Sequence, residues 1–485
     1  MMKHKNGLNA FFKPRGCAVV GASRDDKKAG RQVVENMIAA GFLNREGSPQ
    51  IYLVNPNEEG SLYNIKFYPS LKSIPGTVEL VILTVSANRI EEVVADIEAR
   101  MAVYNDIQAI IVIAAGFAEI GTDEGKKRQK LLVECCRKYG IRIIGPNCVG
   151  IIDNINNLDS TFILGTKHKP GGISLISQSG AIGSWLLMDW ASQSPEIGFN
   201  KFISLGNMAD VNIVECLEYL GQDENTKVIG MYMEGYTKVR DLLEVAKEVK
   251  KEKPVVVLKV GRTKSGSKAA QSHTGSMAGA DSIYDGAFKQ YGVLRVDSME
   301  ELSDSLRAFD SMPLPQGKRI FVVTQAGGPG IYCIDALGDS SEFEFAKISD
   351  NAKKHLKEVL PPFASICHPE GHVDITAAAN PVQHREAVET VLSEESVDAL
   401  ILITVPTLFT PAREIGITLK EGILNLRAKG INKPFFPVIL SGNAVLEAKM
   451  ILEEAGIVTF ATPDRAVKAL KQMIRYSFYR RERVL

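Results

Sequence analysis

The sequence has no long apolar run and no surplus of either charge. Its longest apolar stretch, residues 109–115 (AIIVIAA), is far shorter than the roughly 20 residues that span a bilayer. Lys and Arg together number 57, as do Asp and Glu, so no overall field favours nucleic acid or an anionic membrane. The opening residues, MMKHKNGLNAFF, lack the apolar core of a signal peptide. We therefore expect a cytoplasmic protein with neither nucleic-acid nor membrane partners.

Cysteine is also sparse, and its spacing excludes a disulfide framework. None of the seven cysteines forms a CxxC pair. Cys367, His368 and His372 lie close together in the sequence, which raises the question of a metal site. They share a segment with Pro369 and Gly371, and no second group of ligands is visible nearby. We interpret them as polar loop residues and predict no metal site.

The 485 residues alternate short apolar runs with amphipathic segments, which is typical of βαβ units and parallel sheets. A length of this kind exceeds what one core usually holds. We predict three α/β domains, over residues 1–150, 151–310 and 318–475, with a Pro-containing linker near residues 311–317. The predicted strands are residues 17–20, 51–54, 80–85, 109–114, 142–144, 173–176, 201–204, 228–233, 254–260, 319–324, 399–405, 437–440 and 458–460.

A glycine-containing turn follows the first predicted strand. Gly21, Ala22 and Ser23 come directly after it, and a helix is predicted to begin near Gly30. A helix N-terminus behind such a turn suits a phosphate group. The turn is not a full GxGxxG motif, and the second strand ends in Asn55 where NAD-binding proteins carry Asp or Glu. The pattern indicates a nucleotide-binding Rossmann fold and disfavours NAD.

Later strands of the same domain also end in small or polar residues. Ser86 follows the third predicted strand and Gly116 the fourth. Each turn alone is ordinary connection chemistry. Because the carboxyl ends of parallel strands meet at one edge of a sheet, their joint occurrence favours a ligand there.

In the second domain, two strand ends carry candidate site residues. The first strand leads into Ser177-Gln178-Ser179-Gly180 and then an apolar helix, which is either an anion cradle or an ordinary helix cap. The strand at residues 228–233 ends in Glu234. A carboxylate at that place is costly to bury unless it is paired. It could orient a histidine by holding one ring nitrogen.

The segment from Gly261 to Asp281 (GRTKSGSKAAQSHTGSMAGAD) carries one histidine, His273, among small and basic residues. We predict a mobile loop, because the segment is rich in Gly and Ser and has few side chains able to build a core. On this loop His273 is either an inert surface residue or a nucleophile that accepts a phosphoryl group.

Together these motifs resemble one family. The chain is similar over nearly its whole length to the α subunits of ADP-forming (NDP-forming) acyl-CoA synthetases, the acetate–CoA ligase group, and more distantly to the α subunit of succinyl-CoA synthetase. The motifs that carry the resemblance are VVGAS (19–23), VNP (54–56), AGFAE (115–119), GPNCVG (145–150), SQSGAIG (177–183), SLGNMADV (204–211), QSHTGSMAGADSIYD (271–285) and TQAGGPG (324–330).

The resemblance implies a fold and a set of site residues. It implies an N-terminal CoA-binding Rossmann domain followed by two flavodoxin-like parallel-sheet domains. His273 would be the phosphorylated histidine, oriented by Glu234, and Ser179 and Gly180 would receive the phosphoryl group. The residues that would contact CoA are Gly21, Ala22, Ser23, Ser86 and Gly116. The implied reaction is acyl-CoA + ADP + phosphate ⇌ carboxylic acid + CoA + ATP, through an acyl phosphate and phosphohistidine.

Unlike a complete synthetase, the sequence has no Walker-type loop and no domain long enough for an ATP-grasp fold. The resemblance therefore implies a separate ATP-grasp β subunit that binds ADP or ATP with Mg²⁺, in an α2β2 assembly. The third domain also differs from many members, at Ser441-Gly442-Asn443 and at His372-Val373-Asp374. Two other hypotheses remain open: a CoA-sensing or scaffold protein without catalysis, and an NAD-dependent oxidoreductase.

Overall fold

The structure is a computed structural model. It describes residues 7–45, 47, 50–164, 168–274, 281–338, 341–408 and 410–481, with the backbone alone at 270–274. Residues up to Arg295 form one compact unit, and those from Val296 onward form a second. The predicted three-domain boundaries are finer than this division and stay a prediction.

Strands within the described residues are mostly short and buried. They are β1 (Gly16–Val20), β2 (Gln50–Val54), β3 (Ser61–Leu62), β4 (Ile65–Tyr68), β5 (Leu80–Leu83), β6 (Ala109–Val112), β7 (Arg142–Ile144), β8 (Ile151–Asp153), β9 (Leu158–Asp159), β10 (Lys169–Ser177), β11 (Gly198–Ser204), β12 (Val228–Met233), β13 (Val255–Lys259), β14 (Leu294–Val296), β15 (Arg319–Thr324), β16 (Glu344–Phe345), β17 (Ser365–Ile366), β18 (His372–Asp374), β19 (Ala399–Thr404) and β20 (Phe435–Ile439).

Helices connect most of these strands. They are α1 (Asn9–Phe12), α2 (Ala29–Ala39), α3 (Ile90–Met101), α4 (Asp123–Tyr139), α5 (Gly180–Gln193), α6 (Ile213–Gln222), α7 (Val239–Val249), α8 (Lys264–Thr274), α9 (Asp281–Tyr291), α10 (Met299–Ser311), α11 (Gly327–Leu337), α12 (Asp350–Val359), α13 (Pro381–Ser393), α14 (Ala412–Ala428), α15 (Leu446–Glu454) and α16 (Pro463–Arg481). No helix of the described residues is long and apolar enough to cross a membrane.

The first sheet has the strand order β3-β4-β2-β1-β5-β6-β7. Leaving aside β3, which pairs antiparallel with β4, this is the order of a Rossmann fold. Strand β1 pairs with β2 on one side and with β5 on the other, and both pairings are parallel. The resulting switch point at the carboxyl end of β1 is where such sheets bind ligands.

The other two sheets are flavodoxin-like. The second sheet has the order β14-β13-β12-β10-β11-β8-β9, with β10 parallel to both β11 and β12 and an antiparallel β8–β9 hairpin at one edge. The third has the order β17-β18-β15-β19-β20, with β16 also paired to β15. In both, the first long strand lies in the interior, which is the 2-1-3-4 arrangement of that fold. The predicted fold class is confirmed.

The first two sheets share a hydrophobic core. One continuous cluster of buried side chains runs from Phe12 and Cys17 of the first sheet region to Ile229 and Phe288 of the second. Phe12 stacks on Tyr219 with ring centroids 4.9 Å apart. The two sheets are therefore fixed relative to each other by packing.

Two predictions of local structure are wrong. Residues 458–460 form no strand, and Phe460 makes only a single bridge to Val438. The predicted loop after β13 contains an 11-residue helix, α8. The Thr263 hydroxyl accepts the Gly266 N–H at 3.0 Å, as at a helix N-cap, and Lys, Ala and Gln in this helix are good helix formers. The Gly and Ser content of this segment therefore does not prevent a helix, because the residues between them favour one.

Candidate functional site

The turn after β1 is held in a conformation that requires glycine. Gly21 has φ +93°, and its N–H donates to the carbonyl of Val54 at 2.9 Å. A Cβ on Gly30 in α2 would lie 2.1 Å from the Gly21 carbonyl oxygen, so α2 packs directly on the turn. The Asn55 amide donates to the Ala22 carbonyl at 2.8 Å. Asn55 thus braces the turn.

The turns after β5 and β6 touch each other at the same edge of the sheet. A Cβ on Gly116, which has φ +107°, would lie 3.0 Å from the Cβ of Ala87, and Ala87 follows the exposed Ser86. The Gly116 N–H donates to the Glu119 carboxylate at 2.6 Å. The structure therefore brings the predicted residues Ser86 and Gly116 into one neighbourhood, next to the end of β1.

Glu119 also links this edge to the second sheet. The Asn207 amide, which follows β11, donates to Glu119 at 2.6 Å. Burial alone would raise the pKa of the Glu119 carboxyl, but the hydrogen bonds from Asn207 and Gly116 outweigh it and hold that pKa below its usual value. The carboxylate stays charged and ties the two sheet edges together.

A cavity of about 220 Å³ opens at the switch point of the first sheet. It is lined by residues from the ends of β1, β2 and β5 and from α3, among them Gly21, Asn55, Val85 and Arg89. Arg89 pairs with Glu92 at 2.7 Å and places a guanidinium at the cavity wall. The volume is below the roughly 300–1,000 Å³ of sites that enclose a drug-sized ligand, so this cavity fits part of a dinucleotide-sized molecule.

At the second sheet, the turn after β10 opens helix α5. Ser179 is the N-cap residue, and its hydroxyl accepts the Ile182 N–H at 3.4 Å. Gly180 begins the helix, and a Cβ there would lie 2.6 Å from Val149. The first N–H groups of a helix have no intrahelical partners and carry its positive dipole end. The structure thus confirms that a helix begins at Gly180 with Ser179 as its cap, and anion binding at this N-terminus stays a prediction.

Gln178 connects this turn to the strand end that carries Glu234. Its side-chain oxygen accepts the N–H of Glu234 at 2.5 Å and that of Gly235 at 3.2 Å. Its amide nitrogen donates to the Gly235 carbonyl at 2.8 Å. Ser179, Gly180 and Glu234 therefore lie at the same carboxyl edge, joined through one buried glutamine.

Glu234 is buried, with an exposed fraction of 8%. The neighbouring strand β13 ends in Lys259, whose ammonium donates to the Glu234 carbonyl at 2.9 Å. The ring of Tyr284 in α9 lies 4.8 Å from that ammonium. Burial, with a smaller contribution from the nearby charge of Glu234, raises the pKa of Tyr232 to about 12. The edge is thus a mostly buried polar site that carries the Glu234 carboxylate and the Lys259 ammonium.

His273 lies in the last turn of α8, which begins five residues beyond the end of β13. Its side chain falls outside the described residues, as do residues 275–280. The backbone therefore places His273 on a helix that starts from the strand next to Glu234. The role of His273 and its pairing with Glu234 stay predictions.

No cysteine is placed to act at this site. The seven thiols are all buried, and burial raises the pKa of Cys148, next to the first sheet edge, to about 12. Among the described residues, no three His, Cys, Asp or Glu side chains are grouped so as to hold a metal ion.

Sequence reasoning missed Gln178 and Lys259 as site residues. One signal was available for the glutamine, because Ser177-Gln178-Ser179-Gly180 and Thr324-Gln325-Ala326-Gly327 are the same motif in two domains. The Thr324 hydroxyl donates to the Ala326 carbonyl at 2.7 Å, as the Ser177 hydroxyl does to Ser179 at 2.6 Å. No sequence signal marked Lys259.

Comparison with known proteins accounts for nearly the whole chain. Residues 15–154 match the CoA binding domain family, 170–309 the succinyl-CoA ligase like flavodoxin domain, and 320–483 the Ligase-CoA domain. Three CoA-ligase domains in this order, with a Rossmann switch-point cavity and a helix N-terminus at the second sheet, define a CoA-dependent ligase of the succinyl-CoA synthetase type.

Comparison with individual relatives identifies the family within this class. The α subunit of ADP-forming acetate–CoA ligase II from Pyrococcus furiosus is 39% identical over 96% of this chain and 97% of that protein. ADP-forming acetate–CoA ligase I of Archaeoglobus fulgidus is 34% identical, and this chain covers 64% of it. The dinucleotide-forming acetyl-CoA synthetase 1 of Candidatus Korarchaeum cryptofilum, solved with phosphate and ADP, superimposes with a TM-score of 0.87 at 31% identity over 99% of both chains. The chain belongs to the family of ADP-forming acetate–CoA ligase α subunits.

Proposed function

We propose that this α subunit interconverts acyl-CoA, ADP and phosphate with a carboxylic acid, CoA and ATP by way of His273. Phosphate attacks the thioester carbonyl, the C–S bond breaks, and CoA leaves as the thiol. A ring nitrogen of His273 then attacks the phosphorus of the acyl phosphate and releases the carboxylate. Finally the phosphoryl group passes from His273 to ADP.

The observation that carries this proposal is the shared edge of the second sheet. Glu234 and the N-terminus of α5 are joined there through Gln178, and α8 starts from the adjacent strand. A helix N-terminus stabilises the negative charge of a transferring phosphoryl group. In this proposal Ser179 and Gly180 hold that group, and Glu234 orients the imidazole of His273.

CoA is the proposed thiol substrate of the first domain. The match to the CoA binding domain family supports this, together with the cavity at the end of β1. The backbone of Gly21, Ala22 and Ser23 and the start of α2 would face its phosphates. Ser86 and Gly116 would line the same cleft. The cavity volume accommodates part of CoA, and the remainder would lie along the open edge.

We assign nucleotide binding to a separate β subunit with an ATP-grasp fold, which would hold ADP or ATP and Mg²⁺ in an α2β2 assembly. Relatives covered almost completely by this chain are named α subunits. The relative from Archaeoglobus fulgidus is longer, with this chain covering 64% of it. A small carboxylic acid, acetate or a related one, is the proposed substrate.

Phosphate trapping tests the proposal. The chain is incubated with a matching β subunit and ATP labelled in the γ-phosphate, and acid-labile, base-stable protein phosphate is measured. We expect label on the wild-type chain and none on His273→Ala, while the exposed His368→Gln is labelled as the wild type. Label retained by His273→Ala would refute the assignment. No label on the wild type, with CoA binding intact, would favour the CoA-sensing alternative.

A further inference from the structure

The peptide of Glu234 lies beyond the last backbone hydrogen bonds of its strand. Those bonds are Gln178 N–H to the Tyr232 carbonyl at 3.2 Å and Val260 N–H to the Met233 carbonyl at 3.0 Å. Beyond this point the backbone groups of Glu234 and Gly235 are hydrogen-bonded by side chains. Gln178 binds the N–H of Glu234 and both polar groups of Gly235, and Lys259 binds the Glu234 carbonyl.

Lys259 is an unusual residue to find in this place. Its exposed fraction is 1%, and its ammonium donates to two carbonyls, those of Glu234 at 2.9 Å and Val260 at 2.5 Å. Burial lowers the pKa of this ammonium, and the charge of Asp281 partly opposes the effect. A buried cation is costly, and a neutral donor can also satisfy a carbonyl. Hydrogen bonding to a carbonyl at the end of a strand therefore does not by itself explain why this residue is charged.

The third sheet provides an internal comparison. Gln325 follows β15 as Gln178 follows β10, and its side-chain oxygen accepts the Val405 N–H at 3.0 Å. The strand registers make Val405 the counterpart of Glu234 and Ile439 the counterpart of Lys259. The fold therefore keeps the glutamine in both sheets. Lysine and glutamate occur together only in the sheet from which α8 starts.

The contacts of Lys259 also join the parts that the reaction must bring together. The Glu234 carbonyl belongs to the strand end with the carboxylate. The Val260 carbonyl lies where the chain leaves toward α8 and His273. The Tyr284 ring, 4.8 Å from the ammonium, is in α9, which follows the His273 segment. One ammonium thus contacts the Glu234 strand end and both flanks of that segment.

We propose that Lys259 is a positioning residue for phosphoryl transfer, which holds the Glu234 strand end in fixed register with the base of the His273 segment. This inference rests on the proposed function, because it assigns Lys259 a role through Glu234 and His273. Removing a residue that supports a metal ligand typically costs about 10- to 100-fold in activity, and we expect a loss of that order here.

The test compares two lysines with the same bonding. Lys253 also donates to two main-chain carbonyls, those of Leu220 at 3.1 Å and Asp223 at 2.5 Å, but at the opposite edge of the same sheet. In single-turnover phosphorylation with the β subunit and labelled ATP, we expect Lys259→Met to slow labelling by about 10- to 100-fold. Lys253→Met is expected to label at the wild-type rate. CoA binding should stay within about twofold in both variants, because the CoA cavity belongs to the first sheet.

A second measurement separates positioning from a general structural effect. If Lys259 acts through Glu234, then Lys259→Met should add little to the loss caused by Glu234→Gln. Multiplicative losses, an unchanged rate in Lys259→Met, or an equal loss in Lys253→Met would each overturn the role of Lys259 while wild-type labelling upholds the proposed function. An unlabelled wild type would overturn both. If Lys259→Met loses CoA binding through misfolding, Lys259→Gln, which keeps one donor group without charge, is judged by the same criteria.

Discussion

At the scale of single residues, one side-chain amide determines how the second sheet ends. Gln178 makes three hydrogen bonds to the Glu234–Gly235 backbone, and two of them require an oxygen while one requires an N–H. The side chain is therefore bound in one orientation only. A carboxylate of the same shape cannot replace it, because it has no donor for the Gly235 carbonyl.

We expect Gln178→Glu to destabilise the first compact unit by about 1–3 kcal/mol, since a buried donor is lost and two oxygens face each other. Urea unfolding followed by tryptophan fluorescence measures this loss, because Trp190 lies in α5 directly after the turn. Gln193→Glu, at the exposed end of the same helix, is the matched control and should shift the midpoint little. Equal stability of Gln178→Glu and wild type would contradict the hydrogen-bond assignment.

At the scale of secondary-structure elements, the approach of α2 to the first turn depends on Gly30. A Cβ at this position would lie 2.1 Å from the Gly21 carbonyl oxygen, so Gly30→Ala must push the helix away from the turn. We expect a loss of about 1–3 kcal/mol in stability, as in other overpacked sites, and weaker CoA binding. Calorimetric titration with CoA measures the second effect.

The control for this substitution is Gly286→Ala. Gly286 is an exposed residue of α9 whose added Cβ would meet nothing within 4 Å. Alanine is favoured over glycine within helices by about 1 kcal/mol, so this variant should be as stable as the wild type or more so. CoA affinity equal in Gly30→Ala and Gly286→Ala would show that the helix N-terminus takes no part in binding.

Sequence patterns correctly predicted the strands that are themselves continuous apolar runs. The buried runs of β12 and β15 coincide with the predicted strands at both ends. Two-residue edge strands such as β3 and β17 were missed, since they are too short to show a period. The bonding of Lys259 to Glu234, 25 residues apart, depends on strand register, which the sequence does not display. Sequence motifs identified the turns, whereas the side chains that hold those turns in place are evident only from contacts in the structure.

At the scale of the whole molecule, the two compact units can be followed by different probes. Both tryptophans of the chain, Trp185 and Trp190, lie in α5 of the first unit. Fluorescence therefore reports unfolding of that unit, whereas circular dichroism reports both. Among the described residues, the first unit contains one buried histidine, His168, and the second contains two, His372 and His384. The contribution of a single buried histidine to the pH dependence of each unit can thus be tested separately.

Burial lowers the pKa of both His168 and His384 to about 4. In the unfolded chain a histidine titrates near 6.5, so this stability is present above pH 6.5 and is lost as the pH falls toward 4. From pH 7 to 5 each should cost about 2 kcal/mol. His168→Gln should remove its own share of this loss from the fluorescence-detected transition near Trp190. His384→Gln should remove its own share only from the part detected by dichroism, where His372, whose pKa is also lowered by burial, still contributes. The exposed His368→Gln should change neither, and an unaltered pH dependence in His168→Gln would show that its ring is solvated in the folded protein.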